Sequence, residues 1–456
     1  MDDGGLPHDS GLLCDGTGSP SPLPTVGADR ESVTCLFSAP RSPGSLDANF
    51  TAVSLTLAKR LEAVQPSVTL AMNQRAADMR AKGLDVYAFG VGEPDFDPPG
   101  CVIEAAHGAL TGKVTGGVSK YTAVTGIPAL KQAICKHTDR ARGWHPNSKQ
   151  VTVSVGAKHA LFNIAIALYE PGDEVLIPAP YWVSYPEQVK MMGATPVVVN
   201  TTEESGFRMS PDDFAKALTP KTKAVILCTP SNPTGSAYSE DHLRALLDVW
   251  KKSDSYLVVD EIYADLVYDG FKHVSAARIA NDAVDRIIVV DGVSKSYAMT
   301  GWRIGWSIAN ERIAKALDTV QGQSTANPTS IAQHAAVAAL TGPQEEVEKM
   351  RVAFEKRRGV MVEALRSIPG VKCRMPEGAF YAFADCRGLY GIPYKGKPIA
   401  SDEDVAFFML DEAQVAAVPG GAFGAPGYVR FSYATSEERI LGGIAAIKKA
   451  VAAARP

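Results

Sequence analysis

Short apolar runs alternate with longer amphipathic stretches through the middle of the chain. Because these runs are rich in β-branched residues and lack a polar/apolar alternation, they are typical of parallel strands covered on both faces. Such runs lie at 151–155, 174–178, 197–199, 224–228, 256–259 and 287–290. Helical patterns separate them, so we predict an α/β fold with a mostly parallel sheet from about residue 100 to 310.

The pattern changes after Arg303, where we predict mainly helices, at 331–340 and 345–365. A smaller α+β unit should follow. Its strands are predicted at 378–383, 415–418 and 428–433, and its helices at 402–413 and 436–453. Near the start, a helix is predicted at 69–82, and an apolar strand then runs into a glycine turn around Gly92.

The first fifty or so residues are dominated by Gly, Ser, Pro and Asp and show no helical or strand period. Such a segment cannot bury enough apolar surface to offset the ordering of its backbone, so we predict a disordered extension over 1–52. A targeting peptide is the alternative. The acidic residues Asp2, Asp3 and Asp9 count against it, since transit peptides are poor in acids.

Composition excludes several classes of function. The chain has 456 residues with 46% hydrophobic residues, and its net charge of −4 gives no basic surface for nucleic acid. Its seven cysteines have no C-x-x-C spacing, which predicts reduced thiols in an intracellular protein and no metal site. No apolar run approaches the roughly 18 residues that span a bilayer, so we expect no membrane segment.

The most informative stretch is G-V-S-K-S-Y-A-M-T-G-W-R-I-G at 292–305. It follows the predicted strand at 287–290, so Lys295 should lie at the carboxyl end of the sheet, where open α/β sheets bind ligands. A lysine there can form a Schiff base with a carbonyl, and Arg303 can hold a phosphate. Together they suggest pyridoxal 5'-phosphate. A solvated surface lysine is the plain alternative for the isolated Ser-Lys pair.

Other strand exits carry polar or aromatic residues. Asp260 ends an apolar strand, which is costly unless a cation such as a protonated pyridine nitrogen meets it. Asn232 lies in a loop stiffened by two prolines, and Trp182 follows a strand, where it could stack on a flat ring or simply pack in the core. The turn from Gly156 to Lys158 opens a helix, a natural phosphate seat but also a common turn.

Two further positions suit a small substrate. Gly92 has no Cβ and lets the backbone approach a ligand closely. Arg430 lies on one face of a short apolar strand, and its planar fork suits a carboxylate. A structural ion pair explains Arg430 equally well at this stage.

Nine blocks of sequence together resemble one known family. From about Leu57 to the C-terminus, the chain resembles the class I aminotransferases, and within them the prokaryotic-type aspartate aminotransferase subgroup of bacteria and plant plastids. The blocks are VGEPDFD at 91–97, KYTAVTGI at 120–127, GAKHALFN at 156–163, PAPYWVSYPEQ at 178–188, SNPTG at 231–235, DEIYADLVY at 260–268, SKSYAMTGWRIGW at 294–306, GAFY at 378–381 and RFSYATS at 430–436.

The resemblance implies pyridoxal-phosphate fold-type I. That fold has a large domain with a mostly parallel seven-stranded sheet and a smaller α+β domain made from both chain ends. It places the N-terminal part of the small domain at 53–98, the large cofactor-binding domain at 99–342 and the rest of the small domain at 343–456. It also implies a homodimer with shared active sites.

The resemblance implies roles for particular residues. Lys295 is the catalytic residue and forms the aldimine, Asp260 pairs with the pyridine nitrogen, and Trp182 stacks on the ring. The remaining cofactor contacts are Asn232 and Tyr263 at the ring hydroxyl, Gly156, Ala157, Lys158, Ser294 and Arg303 around the phosphate, and Tyr121 donated by the partner subunit. The substrate is received by Gly92, Trp182, Asn232 and Arg430, with Arg430 on its α-carboxylate.

The implied activity is ping-pong transfer of an amino group between aspartate or glutamate and 2-oxoglutarate or oxaloacetate. Prephenate is an alternative acceptor: Lys158 matches the dual-specificity members, but Pro98 stands where they carry Thr. His159 stands where relatives often have Gln. A cytoplasmic location is favoured, with a plastid if the extension targets the protein.

Three other functions remain open as rivals. The first is a different enzyme of the same fold, such as a cyclopropane-forming synthase or a C–S lyase. The second is a non-catalytic binding protein, which the intact Lys295, Asp260 and Arg303 disfavour. The third is a nicotinamide dehydrogenase, disfavoured because no G-x-G-x-x-G follows a first strand.

Overall fold

The computed structural model describes residues 57–64, 68–112 and 118–455. The predicted disorder of 1–52 therefore lies outside the described residues. Five cysteines are described, and all five are free thiols: Cys101, Cys135, Cys228, Cys373 and Cys386.

A seven-stranded sheet, here called the large sheet, organises the middle of the chain. Its spatial order is Val151–Ser154, Gly305–Ile308, Ile287–Gly292, Tyr256–Asp260, Thr222–Cys228, Glu174–Ala179 and Thr195–Asn200. The last five run parallel to one another, and Gly305–Ile308 is antiparallel to both of its neighbours. The predicted α/β fold with a mostly parallel seven-stranded sheet is confirmed.

The strand Gly305–Ile308 was not predicted, because mainly helices were expected beyond Arg303. It has only four residues, and Gly305 and Ser307 interrupt the kind of β-branched apolar run by which the other buried strands were predicted. Gly305 is needed at its start, because a Cβ there would come within 2.2 Å of the Ala157 nitrogen. The strand thus brings the Arg303 loop against the Gly156–Ala157 turn.

Helices cover both faces of the large sheet. Consecutive strand residues enter different hydrophobic clusters: Val259 and Val289 pack on one face, while Val258 and Val290 pack on the other. Side-chain caps begin several helices, as where Ser239 accepts a hydrogen bond from the His242 nitrogen. Within the described residues, the α-helices that precede the strand Gly305–Ile308 are Val68–Ala81, Gly100–Leu110, Pro128–Arg142, Ala157–Leu168, Ser184–Met191, Pro211–Ala217, Glu240–Trp250 and Ala276–Ile279.

A second sheet, here called the small sheet, is antiparallel. Its order is Val418–Pro419, Tyr428–Ser432, Tyr381–Asp385 and Lys372–Cys373. The predicted strand at 415–418 is two pieces, because Val415–Ala416 instead pairs in parallel with Tyr87–Ala88. That pairing ties the two ends of the chain together. A short hairpin joins Pro393–Tyr394 to Lys397–Pro398.

The small sheet has a hydrophobic cluster of its own, formed with the helices of the last third of the chain. The described α-helices that follow the strand Gly305–Ile308 are Glu311–Gly322, Ser330–Thr341, Glu345–Arg366, Asp402–Ala413 and Glu437–Ala454. The predicted domain boundaries at 98 and 342 stay a prediction.

Candidate active site

A cavity of about 360 Å³ opens at the carboxyl end of the large sheet. Strands Tyr256–Asp260 and Ile287–Gly292 end at it, and the loop around Gly92 and the small-sheet residue Arg430 close it. Its lining residues include Gly92, Glu93, Ala157, Lys158, Trp182, Tyr185, Cys228, Asn232, Asp260, Tyr263, Ser294, Lys295, Thr300, Arg303, Tyr381, Phe423 and Arg430. This is the edge at which open α/β sheets bind their ligands.

Lys295 lies just beyond the strand Ile287–Gly292, with its amine inside the cavity. Its Nζ donates a hydrogen bond to the Gly92 carbonyl oxygen at 2.6 Å. Burial lowers the pKa of this amine to about 8, and the neighbouring Arg430 and Arg303 favour the neutral form further, against the opposing charges of Glu93 and Asp260. Near neutral pH, an amine with so low a pKa is neutral, and so able to act as a nucleophile or base, in a larger fraction of molecules than an ordinary lysine.

Asp260 is the last residue of its strand and is almost completely buried. The Tyr185 hydroxyl donates to its Oδ2 at 2.7 Å, and the Ile262 nitrogen donates to its Oδ1 at 3.2 Å. Burial raises the pKa of this carboxyl to about 6 even though both hydrogen bonds favour the charged form. A buried carboxylate facing a cavity can accept a proton-bearing ring nitrogen as its counter-charge.

The opposite end of the cavity is positive. Gly156 adopts a φ of 86°, and a Cβ on it would lie 2.7 Å from Arg303 Nη2, so the guanidinium packs directly on the turn. The helix Ala157–Leu168 begins there without a side-chain cap. Burial and Arg303 both lower the pKa of Lys158. An uncapped helix start beside a guanidinium suits a phosphate.

Arg430 reaches the cavity from the small sheet and is 3% exposed. Its Nη1 donates to Asn232 Oδ1 at 2.9 Å, and its Nη2 donates to the Gly90 carbonyl oxygen at 2.8 Å. Its Nε has no hydrogen-bond partner among the described residues. Burial lowers the pKa of the guanidinium. A buried guanidinium without a carboxylate partner suits an anionic ligand.

Aromatic rings complete the walls. The Trp182 ring meets the Tyr185 ring edge-on at 5.3 Å, and Lys158 Nζ lies 4.9 Å from the centre of the Trp182 ring. The Tyr263 and Tyr381 hydroxyls are 2.9 Å apart. Burial raises the pKa of both phenols, so they stay protonated and can donate hydrogen bonds.

The structure gathers most of the residues that were predicted to form the site. Gly156 is outside the lining but contacts Arg303. Tyr121 is 92% exposed and away from the cavity of its own chain. The roles assigned to these residues stay predictions.

Sequence reasoning missed two residues that contact the predicted ones, Tyr185 on Asp260 and Tyr381 on Tyr263. Their signal was weak but present. Tyr185 follows Trp182 by three positions, one helical turn, and Tyr381 is the fourth residue of the GAFY block.

The donor groups fit pyridoxal phosphate. The cavity offers an amine for an aldehyde, a buried carboxylate for a protonated ring nitrogen and a positive helix start for a phosphate. These three chemistries lie in one cavity, and the guanidinium of Arg430 adds a place for a carboxylate.

Comparison with known proteins gives consistent matches. The family model for aminotransferase class I and II matches residues 85–447. An aspartate aminotransferase of Geobacillus stearothermophilus is 47% identical over 382 residues, which are 84% of this chain and 95% of that protein. A probable aspartate/prephenate aminotransferase of Rhizobium leguminosarum bv. phaseoli is 45% identical over 84% of this chain and 96% of that protein.

Solved structures agree in fold. The aspartate aminotransferase of Rhizobium meliloti superposes with a TM-score of 0.84 and 42% identity, covering 87% of this chain and 99% of the other. The Thermus thermophilus aspartate aminotransferase with maleate gives a TM-score of 0.80 and 40% identity, covering 87% of this chain and all of the other.

Proposed function

This chain belongs to the class I and II aminotransferase family, and we propose that it transfers an amino group between L-aspartate or glutamate and 2-oxoglutarate or oxaloacetate. It is a transaminase that depends on pyridoxal phosphate, as its family does. One observation carries the proposal: a buried amine, a buried carboxylate and a buried guanidinium line one cavity without an ion pair among the described residues.

Cofactor binding divides among three groups in this proposal. Asp260, held by Tyr185, faces the ring nitrogen. Arg303 and the turn Gly156–Lys158 hold the phosphate, while Trp182 lies against the ring and Tyr263 donates to its hydroxyl. When bound, pyridoxal phosphate supplies an aldehyde that takes up the amino group and a ring that accepts electrons from the substrate carbon.

Substrate binding falls to Arg430. Its guanidinium is held by Asn232 and the Gly90 carbonyl, so its fork is fixed before a ligand arrives. A substrate α-carboxylate would take the place of a missing counter-ion. Lys158 also lines the cavity, and we propose it as the cation that meets the second carboxylate of a dicarboxylic substrate. This arrangement favours dicarboxylic over monocarboxylic amino acids.

Proton transfer falls to Lys295. With a pKa lowered to about 8, its amine exists partly in the neutral form near neutral pH and can take a proton from the substrate Cα. In the same half-reaction the amine would pass that proton to the carbon that carries the cofactor aldehyde, and in the second half-reaction, with the keto acid, it would move a proton in the opposite direction. The Gly92 carbonyl, 2.6 Å away, holds the amine at one side of the cavity.

A homodimer is part of the proposal, with Tyr121 of each chain completing the site of the other. Tyr121 is 92% exposed and does not line the cavity of its own chain, which leaves its ring accessible to a partner subunit. The division into a large domain at 99–342 and a small domain from both chain ends is proposed on the separate hydrophobic clusters of the two sheets. No helix in the described part of the chain is long and apolar enough to cross a bilayer.

Prephenate is the second candidate acceptor. The names of several relatives, including those from Rhizobium leguminosarum and Cereibacter sphaeroides, support it. Pro98 argues against it, since the resemblance places Thr there in dual-specificity members.

The deciding experiment is a panel of keto acids offered to the purified protein with pyridoxal phosphate. With aspartate as donor, we expect 2-oxoglutarate to be the best acceptor, prephenate to be much poorer, and the kinetics to be ping-pong. Arg430→Lys should lower kcat/KM for aspartate by about 100-fold, because a lysine loses the bidentate fork. Absence of any absorbance change with pyridoxal phosphate would refute the proposal.

A further inference from the structure

The side chain of His159 folds back onto the turn that precedes its own helix. The turn follows the strand Val151–Ser154 and leads into Ala157–Leu168. The backbone N–H of Val155 donates a hydrogen bond to His159 Nδ1 at 3.2 Å. The backbone N–H of His159 donates a hydrogen bond to the Gly156 carbonyl oxygen at 3.0 Å. The ring therefore provides a hydrogen-bond acceptor for the Val155 N–H, which lies just beyond the end of the strand.

The other side of this turn has no room to move. A Cβ on Gly156 would lie 2.7 Å from Arg303 Nη2, and a Cβ on Gly305 would likewise meet the Ala157 nitrogen. His159 and Arg303 thus hold the turn from two sides. Any shift of Val155 would change the shape of the turn from Gly156 to Lys158, which carries the helix start facing the cavity.

The contact requires a neutral ring. An Nδ1 that accepts a hydrogen bond carries no proton, so the remaining proton is on Nε2. A protonated ring would present an N–H to the Val155 N–H, and two donors would then face each other. Burial lowers the pKa of His159, which favours the neutral form that the contact needs.

Charged groups surround the ring on each packed element. Lys158 on the same helix and Arg303 on the adjoining loop line the shallow groove beside it, together with Glu187 from the helix Ser184–Met191. The two cations disfavour protonation of the ring. Glu187 favours it, but Lys190 lies 2.9 Å from its carboxylate and offsets part of that charge.

We propose that His159 is a positioning residue for the phosphate end of the cofactor site: its neutral ring holds the turn from Val155 to Lys158 in the shape that binds a phosphate, and a proton on the ring releases the turn. The inference rests on the proposed function, because the phosphate is that of pyridoxal phosphate. It assigns the residue no contact with substrate and no part in the chemical step.

The sign of the pH dependence follows from the neutral form being the competent one. The hydrogen bond from Val155 is fully present above the ordinary histidine pKa of about 6.5 and is lost as the pH falls through the lowered pKa of His159. Phosphate binding should therefore weaken in acid. The phosphate of the cofactor also takes up a proton near pH 6, so a matched variant must separate the two effects.

Two variants make that separation. His159→Asn places Oδ1 close to the position of Nδ1, so it keeps an acceptor for the Val155 N–H but cannot titrate. His159→Leu has similar bulk and no acceptor. The readouts are dissociation constants of the full-length protein, freed of cofactor, for pyridoxal phosphate and for pyridoxal, which lacks the phosphate, measured by absorbance at about pH 8 and about pH 5.5.

At about pH 8, His159→Leu should bind pyridoxal phosphate about tenfold more weakly, as the loss of one backbone hydrogen bond predicts, while its affinity for pyridoxal stays unchanged. His159→Asn should bind both like the unaltered protein. On going to about pH 5.5, the unaltered protein should lose about tenfold more affinity for pyridoxal phosphate than His159→Asn does.

Equal pyridoxal phosphate affinity of His159→Leu and the unaltered protein would overturn the inference. So would the same pH slope in His159→Asn and the unaltered protein, or equal weakening of pyridoxal and pyridoxal phosphate, which indicates a general loss of structure. In these cases the unaltered protein still binds the cofactor, so the proposed function stands. An unaltered protein that binds no pyridoxal phosphate would refute the proposed function, and this inference with it.

Discussion

Two groups of buried charges lie near the ends of the neighbouring strands Tyr256–Asp260 and Ile287–Gly292, and they are built in opposite ways. In the cavity, Asp260, Lys295 and Arg430 form no ion pair within the described part of the chain. In the second group, Arg142 meets three carboxylates. Its partners are Asp265 at 2.6 Å, Asp291 at 3.1 Å and Glu261 at 3.7 Å.

The pKa values follow this difference. In the cavity, burial moves the pKa of all three groups toward their neutral forms. Around Arg142, burial alone would raise the pKa of Asp265, but the guanidinium lowers it below its ordinary value. Glu261 is lowered in the same way, by His273 and Arg142 against burial. Asp291 is the exception, because burial raises its pKa to about 8 although Arg142 opposes this.

The comparison separates a binding site from a structural cluster. Burying a charge without a partner is costly, so a fold keeps such charges only where a ligand or a reaction uses them. A cluster whose charges already meet one another has little to offer a ligand. Perturbed pKa values alone would not distinguish the two groups, since burial raises the pKa of Asp291 to about 8 and that of Asp260 to about 6.

The largest expected effect that separates the two groups is on turnover. Lys295→Ala should lower the rate of amino transfer by about 10⁴-fold, because it removes the amine that carries the proton. It should leave the free energy of unfolding equal or slightly higher, since the lost amine has no buried counter-ion. Transamination rates and urea unfolding of the cofactor-free protein measure both.

The exposed residue Lys252 offers a matched control. Lys252→Ala should change neither quantity. A Lys295→Ala protein that still turns over at a comparable rate would contradict the role given to this amine.

The second effect is on stability. Arg142→Met should lower the free energy of unfolding by about 3–5 kcal/mol, because it leaves Asp265 and Glu261 buried without their cation. Lys216→Met, which removes a surface ion pair with Asp213, should cost at most about 1 kcal/mol. If the two variants unfold at the same urea concentration, the charges around Arg142 do not form the structural cluster described above.

The smallest expected change in stability concerns Asp260. Its folded pKa of about 6 lies above the ordinary aspartate value of 3.8, so the native protein binds more protons than the unfolded chain between these values. The charged form therefore costs stability above about pH 6, up to about 3 kcal/mol, and nothing below about pH 4. Asp260→Asn should abolish turnover yet stabilise the cofactor-free protein at neutral pH.

Urea unfolding at two pH values tests this. The stabilisation by Asp260→Asn should be present near pH 7 and absent near pH 4. The Tyr185 hydroxyl and the Ile262 N–H donate to different oxygens of Asp260, and Asn offers only one oxygen, so one hydrogen bond is lost at both pH values and the difference between the two pH values is the test. A variant that is less stable than the unaltered protein at neutral pH would show that Asp260 is already neutralised by its surroundings.

Strand exits made much of the site predictable from the sequence. Lys295, Asp260 and Asn232 each follow an apolar run, and parallel strands end at one edge, so their proximity follows from the fold class. The helix Asp402–Ala413 was also predicted with its correct first and last residues, and in the structure the Ser401 side chain caps its start. Local pattern was sufficient in these cases.

Long-range contacts were not predictable in the same way. Tyr185 and Asp260 are separated by 75 positions, and no local sequence pattern near either residue predicts their hydrogen bond. Arg430 and Asn232 are separated by 198 positions in the sequence. The sequence therefore did not show that Arg430 is held by Asn232, and a structural ion pair remained an equally good explanation. The strand Gly305–Ile308 was missed for a different reason: it has only four residues, and Gly305 and Ser307 interrupt any β-branched apolar run.

The pairing of Tyr87–Ala88 with Val415–Ala416 and the reach of Arg430 have a consequence for biosynthesis. A chain still on the ribosome and translated only as far as residue 427 lacks the arginine of the cavity and the strand whose Ser432 nitrogen donates to Phe89. The loop at Gly92 is made early, whereas Arg430 comes from a strand made much later. The cavity is therefore complete only after the strand Tyr428–Ser432 has been synthesised and has docked in the small sheet.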